Sequence, residues 1–261
     1  MIFRPIKLIL NKLLFILSWM GIQPVVFVNN IKGVPRFFRD MREWKRQGGK
    51  ITHYYPILGD FNAQGGNANG QYFHQDLLIA SYIFSKNPKK HIDIASRIDG
   101  FVAHVASFRM IEVVDIRPIN TNHPNISFKQ HDFMNASNEL KTDSLSCLHA
   151  LEHFGLGRYS DPIDVNGFEK GIDNLIHLLD LNGILYLSFP ISKKEELHFN
   201  AHRVLNPLTL LKFKSVNKYL ELINFDCVDD LGDLHKSVDI NSIVDKFSHG
   251  LGIYTFKKIT N

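Results

Sequence analysis

The sequence predicts an α/β protein with a doubly wound, mostly parallel sheet. From residue 91 onward, short apolar segments alternate with segments of helical pattern, which is typical of parallel βαβ units. Several of these apolar segments end in an acidic residue or a histidine. The last two have no helical segment between them, which indicates an antiparallel hairpin at the edge of the sheet. We therefore expect seven strands that end in such a hairpin.

The elements follow one another at ordinary spacings. The expected strands cover residues 91–95, 111–115, 126–130, 144–149, 184–189, 227–231 and 252–257. The expected helices cover residues 75–85, 100–108, 167–179 and 207–222. Asn182-Gly183 stops the third helix, and Pro190 ends the fifth strand. These elements define a domain over residues 71–261, which follows an N-terminal helical, basic and apolar extension over residues 1–70.

Composition limits the class of protein. The chain has 261 residues, of which 44% are hydrophobic and 21% charged, close to the average of globular proteins with a sizeable core. A net charge of +4 is too small to indicate a nucleic-acid partner. The two cysteines, Cys147 and Cys227, lie too far apart for a metal-type pair, which fits a reducing, cytoplasmic compartment. Nothing in the sequence predicts an oligomeric state.

The N-terminal extension joins an apolar run to a basic segment. The uncharged run over residues 13–28 is interrupted by Pro24, which leaves it short of the roughly 20 residues of a transmembrane helix. No small-residue cleavage site of a secretory signal follows it. Residues 32–50 carry seven lysines and arginines against two acidic residues. Residues 1–50 therefore either contact the inner face of a membrane peripherally or form a solvated helix face.

Polar side chains mark the ends of the first four expected strands. The first strand runs into residues 93–97, Asp-Ile-Ala-Ser-Arg, and one glycine, Gly100, follows. Asp115 ends the second strand, roughly 20 residues after that turn, where an acidic side chain suits ribose hydroxyls. Asp132 and His149 end the third and fourth strands. Ligands of doubly wound sheets bind outside the carboxyl ends of the strands, so we expect these four ends to form one site.

A glycine-rich loop precedes the first expected helix. Residues 65–70, Gly-Gly-Asn-Ala-Asn-Gly, are not followed by Gly-Lys-Ser/Thr, which excludes a phosphate-binding P-loop. Tyr72, His74 and Asp76 stand at the start of that helix. They are interpreted either as capping and turn residues or as part of the site.

Four segments carry a resemblance to known proteins. They are His74-Gln75-Asp76, the segment from Asp93 to Phe101, the segment from His149 to Tyr159, and Phe199-Asn200-Ala201-His202-Arg203. Over about residues 75–260 the chain resembles class I S-adenosylmethionine-dependent methyltransferases. More narrowly, most of it resembles an uncharacterised methyltransferase-like family of unknown function, often found with polysaccharide-synthesis genes. The resemblance implies a Rossmann-like fold, S-adenosyl-L-methionine as cofactor, and a small-molecule or lipid-linked glycan as acceptor.

The resemblance also implies a set of cofactor contacts at the strand ends. They are Asp93, Ala95, Ser96, Arg97, Gly100, Asp115, Ile116, Asp132, Phe133 and His149. Methyltransferases usually carry Gly-x-Gly after the first acidic residue, whereas Ala95, Ser96 and Arg97 stand there in this chain. These side chains either obstruct the cofactor, or Ser96 and Arg97 hold its carboxylate. The charge of Arg97 is compatible with a sulfonium where Asp93 or Asp99 neutralises it.

Catalytic candidates follow the fourth strand. His153 or Asp161 is expected to take a proton from an acceptor hydroxyl, with Glu152 and His202 as further catalytic candidates. Acceptor contacts are expected from Tyr72, His74, Asp76, Arg158, Tyr159, Asp164, Asn200 and Arg203. In the alternative interpretation, Glu152 and His153 are buried hydrogen-bond partners and the others are turn, capping and surface residues.

Three functions are compatible with these patterns. The leading hypothesis is a methyltransferase that acts on a sugar or glycan intermediate of surface polysaccharide synthesis. The second is a non-catalytic, degenerate Rossmann scaffold at a membrane surface. The third is a metal-dependent hydrolase, because His149, Glu152 and His153 match the His-x-x-Glu-His pattern of inverted zinc peptidases. That pattern requires a continuous helix, whereas a strand end is expected just before His149.

Overall fold

The computed structural model describes residues 14–135 and 141–260, and the chain divides into two compact units between Asn67 and Ala68. In the first unit, residues 14–19 are helical and a long helix, α1, spans Pro24–Arg46. Pro24 occupies the first turn of α1, where its missing N–H has no intrahelical acceptor to satisfy. No residue of α1 is buried. Within the described residues, no helix combines the length and apolarity needed to cross a membrane.

The second unit contains the alternating elements. Its helices are α2 (Gln71–Lys86), α3 (Ala103–Ala106), α4 (Gly167–Leu178) and α5 (Lys214–Tyr219). Its strands are β1 (His91–Ile94), β2 (Ile111–Asp115), β3 (Ile126–Gln130), β4 (Thr142–Leu148), β5 (Leu179–Ile191), β6 (Glu196–His198), β7 (His202–Val204), β8 (Leu220–Val228), β9 (Leu234–His235) and β10 (Gly250–Lys258). Short 3-10 turns cover Leu151–His153, Leu210–Lys212 and Ile240–Ile243.

Eight of these strands form one sheet in the order β3-β2-β1-β4-β5-β10-β8-β9. The strands from β3 to β5 are parallel, and β10 runs antiparallel to both of its neighbours, β5 and β8. The predicted mostly parallel, doubly wound sheet with a closing antiparallel pair is confirmed. Two details differ: the two-residue β9 adds an eighth strand, and β10 lies inside the sheet. A separate hairpin of β6 and β7 follows β5.

Two apolar clusters cover the two faces of the sheet. On one face, α2 and α3 contribute side chains such as Ile79, Ile83 and Val105 to a cluster with residues of β2 and β10. On the other face, α4 and α5 pack with residues of β1, β4 and β5. Because both faces are covered, β1 is buried over its whole length and β4 over nearly all of it, as expected for strands inside a parallel sheet.

Sheet pairing alters two of the expected helices. The helix expected over residues 207–222 is replaced by a 3-10 turn and the short α5, because Leu220 and Leu222 pair with Lys258 and Phe256 of β10. The strand expected over residues 227–231 therefore begins earlier and ends at Val228. The helix expected over residues 100–108 is kinked, because Gly100 has a non-helical backbone conformation.

Candidate functional site

A cavity of about 560 Å³ lies at the carboxyl ends of β1, β2, β3 and β4. Each of the four strand ends contributes to its wall. The contributing residues are Ile94 and Ala95, Asp115 and Ile116, His131 to Met134, and Leu148 to Ala150. The crevice expected from the sequence is therefore present, and the four ends share it.

The turn after β1 keeps a glycine-like backbone without a glycine. Ala95 has φ 62°, in the left-handed region that glycine adopts without strain. The Asp93 carboxylate accepts hydrogen bonds from Ser96 N at 2.9 Å, Ser96 Oγ at 2.7 Å and Ser146 Oγ at 2.5 Å. Burial raises the pKa of Asp93 to about 6. The bonds between Asp93 and Ser96 thus stabilise the turn away from the cavity. Ala95 is the residue of this turn that lines the cavity.

Arg97 lines the cavity, and its charge is paired with that of the exposed Asp99. Its guanidinium donates to both oxygens of Asp99, at 3.2 and 2.9 Å, and lies 5.5 Å from the centre of the Tyr72 ring. Hence Asp99, rather than Asp93, neutralises it. Gly100 lies behind the turn, where an added Cβ would stand 2.5 Å from Asp76 Oδ2. Burial raises the pKa of Asp76, and neither Gly100 nor Asp76 is on the cavity wall.

The end of β2 holds an ion pair. Asp115 is 3% exposed, and Arg117 binds its carboxylate through Nε at 3.0 Å and Nη2 at 2.6 Å. This contact raises the pKa of Arg117. The Arg117 guanidinium also lies 4.4 Å from the centre of the Tyr159 ring, in the loop after β4. The sequence interpretation missed Arg117, although an Asp-x-Arg spacing at a strand end is a usable signal.

The end of β3 forms an apolar slot beside a carboxylate. Asp132 accepts hydrogen bonds from Met134 N at 3.0 Å and from Asn135 Nδ2 at 3.1 Å. Phe133 is 4% exposed, and its side chain, Met134 and Ile116 line the cavity. A flat heterocycle fits between such apolar walls, with the two carboxylates Asp115 and Asp132 available for its polar groups.

His149 and Glu152 form a close pair at the end of β4. His149 has φ 49° and its backbone N–H donates to Ser188 O at 3.0 Å. His149 Nδ1 lies 3.1 Å from Glu152 Oε1, and Glu152 is 1% exposed. The Tyr72 ring stacks on the imidazole, with ring centres 4.4 Å apart.

Two further histidines border the same region. His153 Nδ1 lies 2.6 Å from Ala201 O, and its Nε2 lies 3.7 Å from Glu152 Oε1. Burial lowers the pKa of His153 and of His202. The His202 ring lies 5.9 Å from that of His249, which precedes β10 and lines the cavity.

Asp161 shapes the loop after β4. Its carboxylate accepts hydrogen bonds from the backbone N–H groups of Gly155, Gly157 and Tyr159 at 3.0, 3.1 and 3.0 Å. Asp161 lines the cavity, and these three bonds give its carboxylate an organising part in the loop, while its expected part as a proton acceptor stays a prediction.

Asp164 and Arg203, which were expected to contact the methyl acceptor, bind other residues of the chain. Lys170 pairs with Asp164 at 2.5 Å and lowers the pKa of that carboxyl. Arg203 donates to Glu152 O at 3.2 Å and Phe154 O at 2.7 Å, which fixes the turn that carries Glu152. Neither Asp164 nor Arg203 lies on the cavity wall.

The cavity thus gathers most of the residues expected from the sequence. On its wall are Tyr72, Ala95, Arg97, Asp115, Ile116, Asp132, Phe133, His149, Glu152, His153, Arg158, Tyr159, Asp161 and His202. Away from it are His74, Asp76, Asp93, Ser96, Gly100, Asp164, Asn200 and Arg203. The sequence interpretation missed Gln71, Arg117, His131, Met134 and His249. No local pattern marks His249, which lies some 100 residues after the fourth strand end.

The inverted zinc-peptidase interpretation does not fit the backbone. His149 is in a left-handed conformation and Leu151–His153 form a single 3-10 turn, so the histidines do not lie on one face of a helix. In the part of the chain that the structure describes, no three or more His, Cys, Asp or Glu residues are grouped to hold a metal ion.

Comparison with known proteins identifies the fold. Residues 120–224 match a family described as "Caenorhabditis protein of unknown function, DUF268". No curated protein matches the chain. The chain is similar to the [4+2]-cyclase SpnF, at 12% identity over 88% of this chain and 96% of that one, with a TM-score of 0.51. It is also similar to the O-methyltransferase of a trans-AT PKS multienzyme of Brevibacillus brevis, solved with S-adenosyl-L-homocysteine, at 11% identity over 70% and 71% of the two chains and a TM-score of 0.51. These likenesses show that the chain has the Rossmann-like methyltransferase fold.

Proposed function

We propose that this chain is an S-adenosylmethionine-dependent methyltransferase with a small-molecule acceptor. The observation that carries the proposal is the convergence in one cavity of Asp115, the apolar slot beside Asp132, and the left-handed turn at Ala95. The similar O-methyltransferase of Brevibacillus brevis was solved with S-adenosyl-L-homocysteine in its structure, which supports the same cofactor class. When bound, the cofactor supplies a methyl group carried on a sulfonium.

The residues of the cavity fit the parts of this cofactor. We assign Asp115 to the ribose hydroxyls and Asp132 to the adenine amine, with Ile116 and Phe133 as walls of the adenine slot, since all four line the cavity. Ala95 presents only a methyl group from a glycine-like turn, which leaves room for the methionine portion. Because Arg97 is paired with Asp99, it does not direct an unpaired cation at a sulfonium.

We propose a sugar or glycan intermediate, free or lipid-linked, as the acceptor. The sequence resemblance to a family found with polysaccharide-synthesis genes is the first support. The second is the remaining wall of the cavity, which contains both aromatic rings and hydrogen-bonding groups. These residues are Gln71, Tyr72, Arg158, Tyr159, His202 and His249.

Calorimetric titration with S-adenosyl-L-homocysteine tests the cofactor assignment. We expect saturable binding by the wild type and at least a tenfold weaker affinity for Asp115→Asn, about 1.4 kcal/mol. Asp173→Asn, on the exposed face of α4, is the matched control and should bind like the wild type. A folded wild type that binds neither this ligand nor S-adenosylmethionine would contradict the proposal and favour a non-catalytic scaffold.

We further propose that the N-terminal extension over residues 1–70 contacts a membrane surface peripherally through residues 1–50, while residues 71–261 form the catalytic domain. Large apolar side chains between residues 15 and 31 are exposed: Phe15 is 71%, Trp19 84% and Phe27 66% exposed. Basic residues over 32–50 follow them directly. Exposed apolar side chains beside excess positive charge favour the anionic inner face of a membrane.

Vesicle sedimentation of the full chain tests this contact. We expect binding to vesicles that contain phosphatidylglycerol, weaker binding to phosphatidylcholine vesicles, and loss of binding in the variant Trp19→Asp, Phe27→Asp. The control variant Val165→Asp, Leu231→Asp places the same charges on apolar side chains that are 88% and 81% exposed in the second unit. Equal sedimentation of both variants, or none by the wild type, would contradict the membrane contact.

A further inference from the structure

We infer that His149 and Glu152 are the pair that binds the acceptor atom and takes its proton, and that this atom belongs to a hydroxyl or an amine. The inference rests on the proposed methyltransferase function and specifies its chemistry. It assigns to His149 a part different from the cofactor contact expected from the sequence.

The first argument is a group of unsatisfied polar atoms. His149 Nε2, Glu152 Oε2 and His202 Nε2 are buried and have no hydrogen-bond partner among the described residues. Leaving a buried polar group unsatisfied destabilises the folded state, and such groups are uncommon in folded proteins. All three residues line the same cavity, so one ligand can supply the missing partners.

The second argument is the direction of the hydrogen bond between the pair. An ionised carboxylate only accepts hydrogen bonds, so we assign the proton between Nδ1 and Oε1, which lie 3.1 Å apart, to His149 Nδ1. His149 Nε2 is then left with its lone pair. Both unsatisfied atoms of the pair, Nε2 and Oε2, therefore accept hydrogen bonds. A group that satisfies either atom must donate, which selects a hydroxyl, with one donor, or an amine, with several, and disfavours a carboxylate or an aromatic carbon.

The third argument is that the neighbouring candidates have other partners. His153 places Nδ1 on Ala201 O, and its Nε2 faces the Glu152 carboxylate at 3.7 Å. The Asp161 carboxylate is held by three backbone N–H groups. Arg203 donates to the backbone carbonyl of Glu152, which fixes the position of the glutamate.

The proton transfer balances without a further reactant. As the acceptor oxygen or nitrogen bonds to the methyl carbon, the carbon–sulfur electron pair stays on sulfur and the acceptor proton moves to His149 Nε2. The imidazolium that results lies against the Glu152 carboxylate, which stabilises its charge. Glu152 thus orients the imidazole and offers Oε2 to the acceptor, and His149 Nε2 takes the proton.

Nitrogen-15 NMR of the histidine side chains in the full chain tests the pair. We expect His149, assigned by its absence in His149→Gln, to be protonated at Nδ1 and to show the shift of an unprotonated nitrogen at Nε2. Glu152→Ala should move the proton to Nε2, whereas Glu169→Ala, an exposed carboxylate of α4, should leave it on Nδ1. A wild type protonated at Nε2, or a tautomer that does not respond to Glu152→Ala, would overturn the inference.

A second measurement needs only the wild type, in case Glu152→Ala does not fold. With the protein saturated by S-adenosyl-L-homocysteine, methylammonium at high concentration should shift the Nε2 resonance of His149, and acetate should not. No response, or an equal response to both, would also overturn the inference. Failure of S-adenosyl-L-homocysteine to bind would contradict the proposed function. It would not decide the tautomer of His149, which is measured in the absence of this ligand.

Discussion

Arg117 binds Asp115 through both carboxylate oxygens, at 3.0 and 2.6 Å, and the backbone N–H of Arg117 donates to the same carboxylate at 2.8 Å. Paired donors of this kind set the orientation of a carboxylate as well as binding it. Oδ1 accepts two of these hydrogen bonds and Oδ2 accepts one, so Oδ2 can still accept a hydrogen bond from a ligand. Arg117 therefore orients the residue that we assign to the ribose.

Removal of Arg117 should weaken cofactor binding. We expect the dissociation constant of S-adenosyl-L-homocysteine to rise about tenfold in Arg117→Ala, a loss of about 1.4 kcal/mol. Arg117→Lys keeps the charge and loses the paired donors, so its affinity should fall between the two. Arg39→Ala, an exposed residue of α1, serves as the control. Wild-type affinity in Arg117→Ala, measured by calorimetry, would show that Asp115 needs no such orientation.

Glycine at position 95 should stabilise the protein. A non-glycine residue in the left-handed region costs about 1–2 kcal/mol, and glycine loses part of that gain to chain entropy. We expect Ala95→Gly to raise the free energy of unfolding by up to about 1 kcal/mol in urea titrations. The control Ala103→Gly, at a helical φ of −62°, should lower it by about 0.5–1 kcal/mol. Destabilisation by both changes would mean that Ala95 is not strained.

Loss of the Asp161 charge should destabilise the loop after β4. Asp161→Asn replaces one accepting oxygen by an NH₂ group, which cannot accept. Depending on the orientation of the amide, the backbone N–H groups of Gly155 and Gly157, or that of Tyr159, lose their acceptor. We expect the free energy of unfolding to fall by about 2–3 kcal/mol, since hydrogen bonds to charged groups are worth about 1.5–3 kcal/mol each. Asp164→Asn, which loses only an exposed pair with Lys170, should cost less. Equal losses in chemical unfolding would contradict the organising part of Asp161.

The raised pKa of Asp93 should appear as a pH dependence of stability. Its folded pKa of about 6 exceeds the ordinary value of 3.8, so the folded state holds the proton more tightly than the unfolded state. The resulting stabilisation is fully present below pH 4 and is lost as pH rises through 6. We expect the stability of the wild type relative to Asp93→Asn to fall by about 2–3 kcal/mol between pH 4 and 7.

Urea unfolding of both proteins across this pH range makes the measurement. Because His91 and the other titrating groups are common to both, their effects largely cancel in the difference. Asp173→Asn should show no such trend against the wild type. A constant difference between the wild type and Asp93→Asn would mean that the Asp93 carboxyl is not protonated preferentially in the folded state.

The strand ends could be predicted from sequence because the signals are local. Apolar runs that stop at Asp115, Asp132 and His149 identify both the strands and the edge where they meet. The parts played by Asp93 and Asp161 could not be predicted, because the donors on each carboxylate depend on how a turn closes. Residues 220–222 have a helical pattern, and only pairing with β10, more than 30 residues later, makes them a strand.

The position of β10 determines when the sheet can close during synthesis of the chain. β5 and β8 both pair with β10 and not with each other, so each has an open edge until residues 250–258 leave the ribosome. Open strand edges recruit strands of other chains. A nascent chain arrested before this segment would expose two such edges at once, and the arrival of one nine-residue strand would close both.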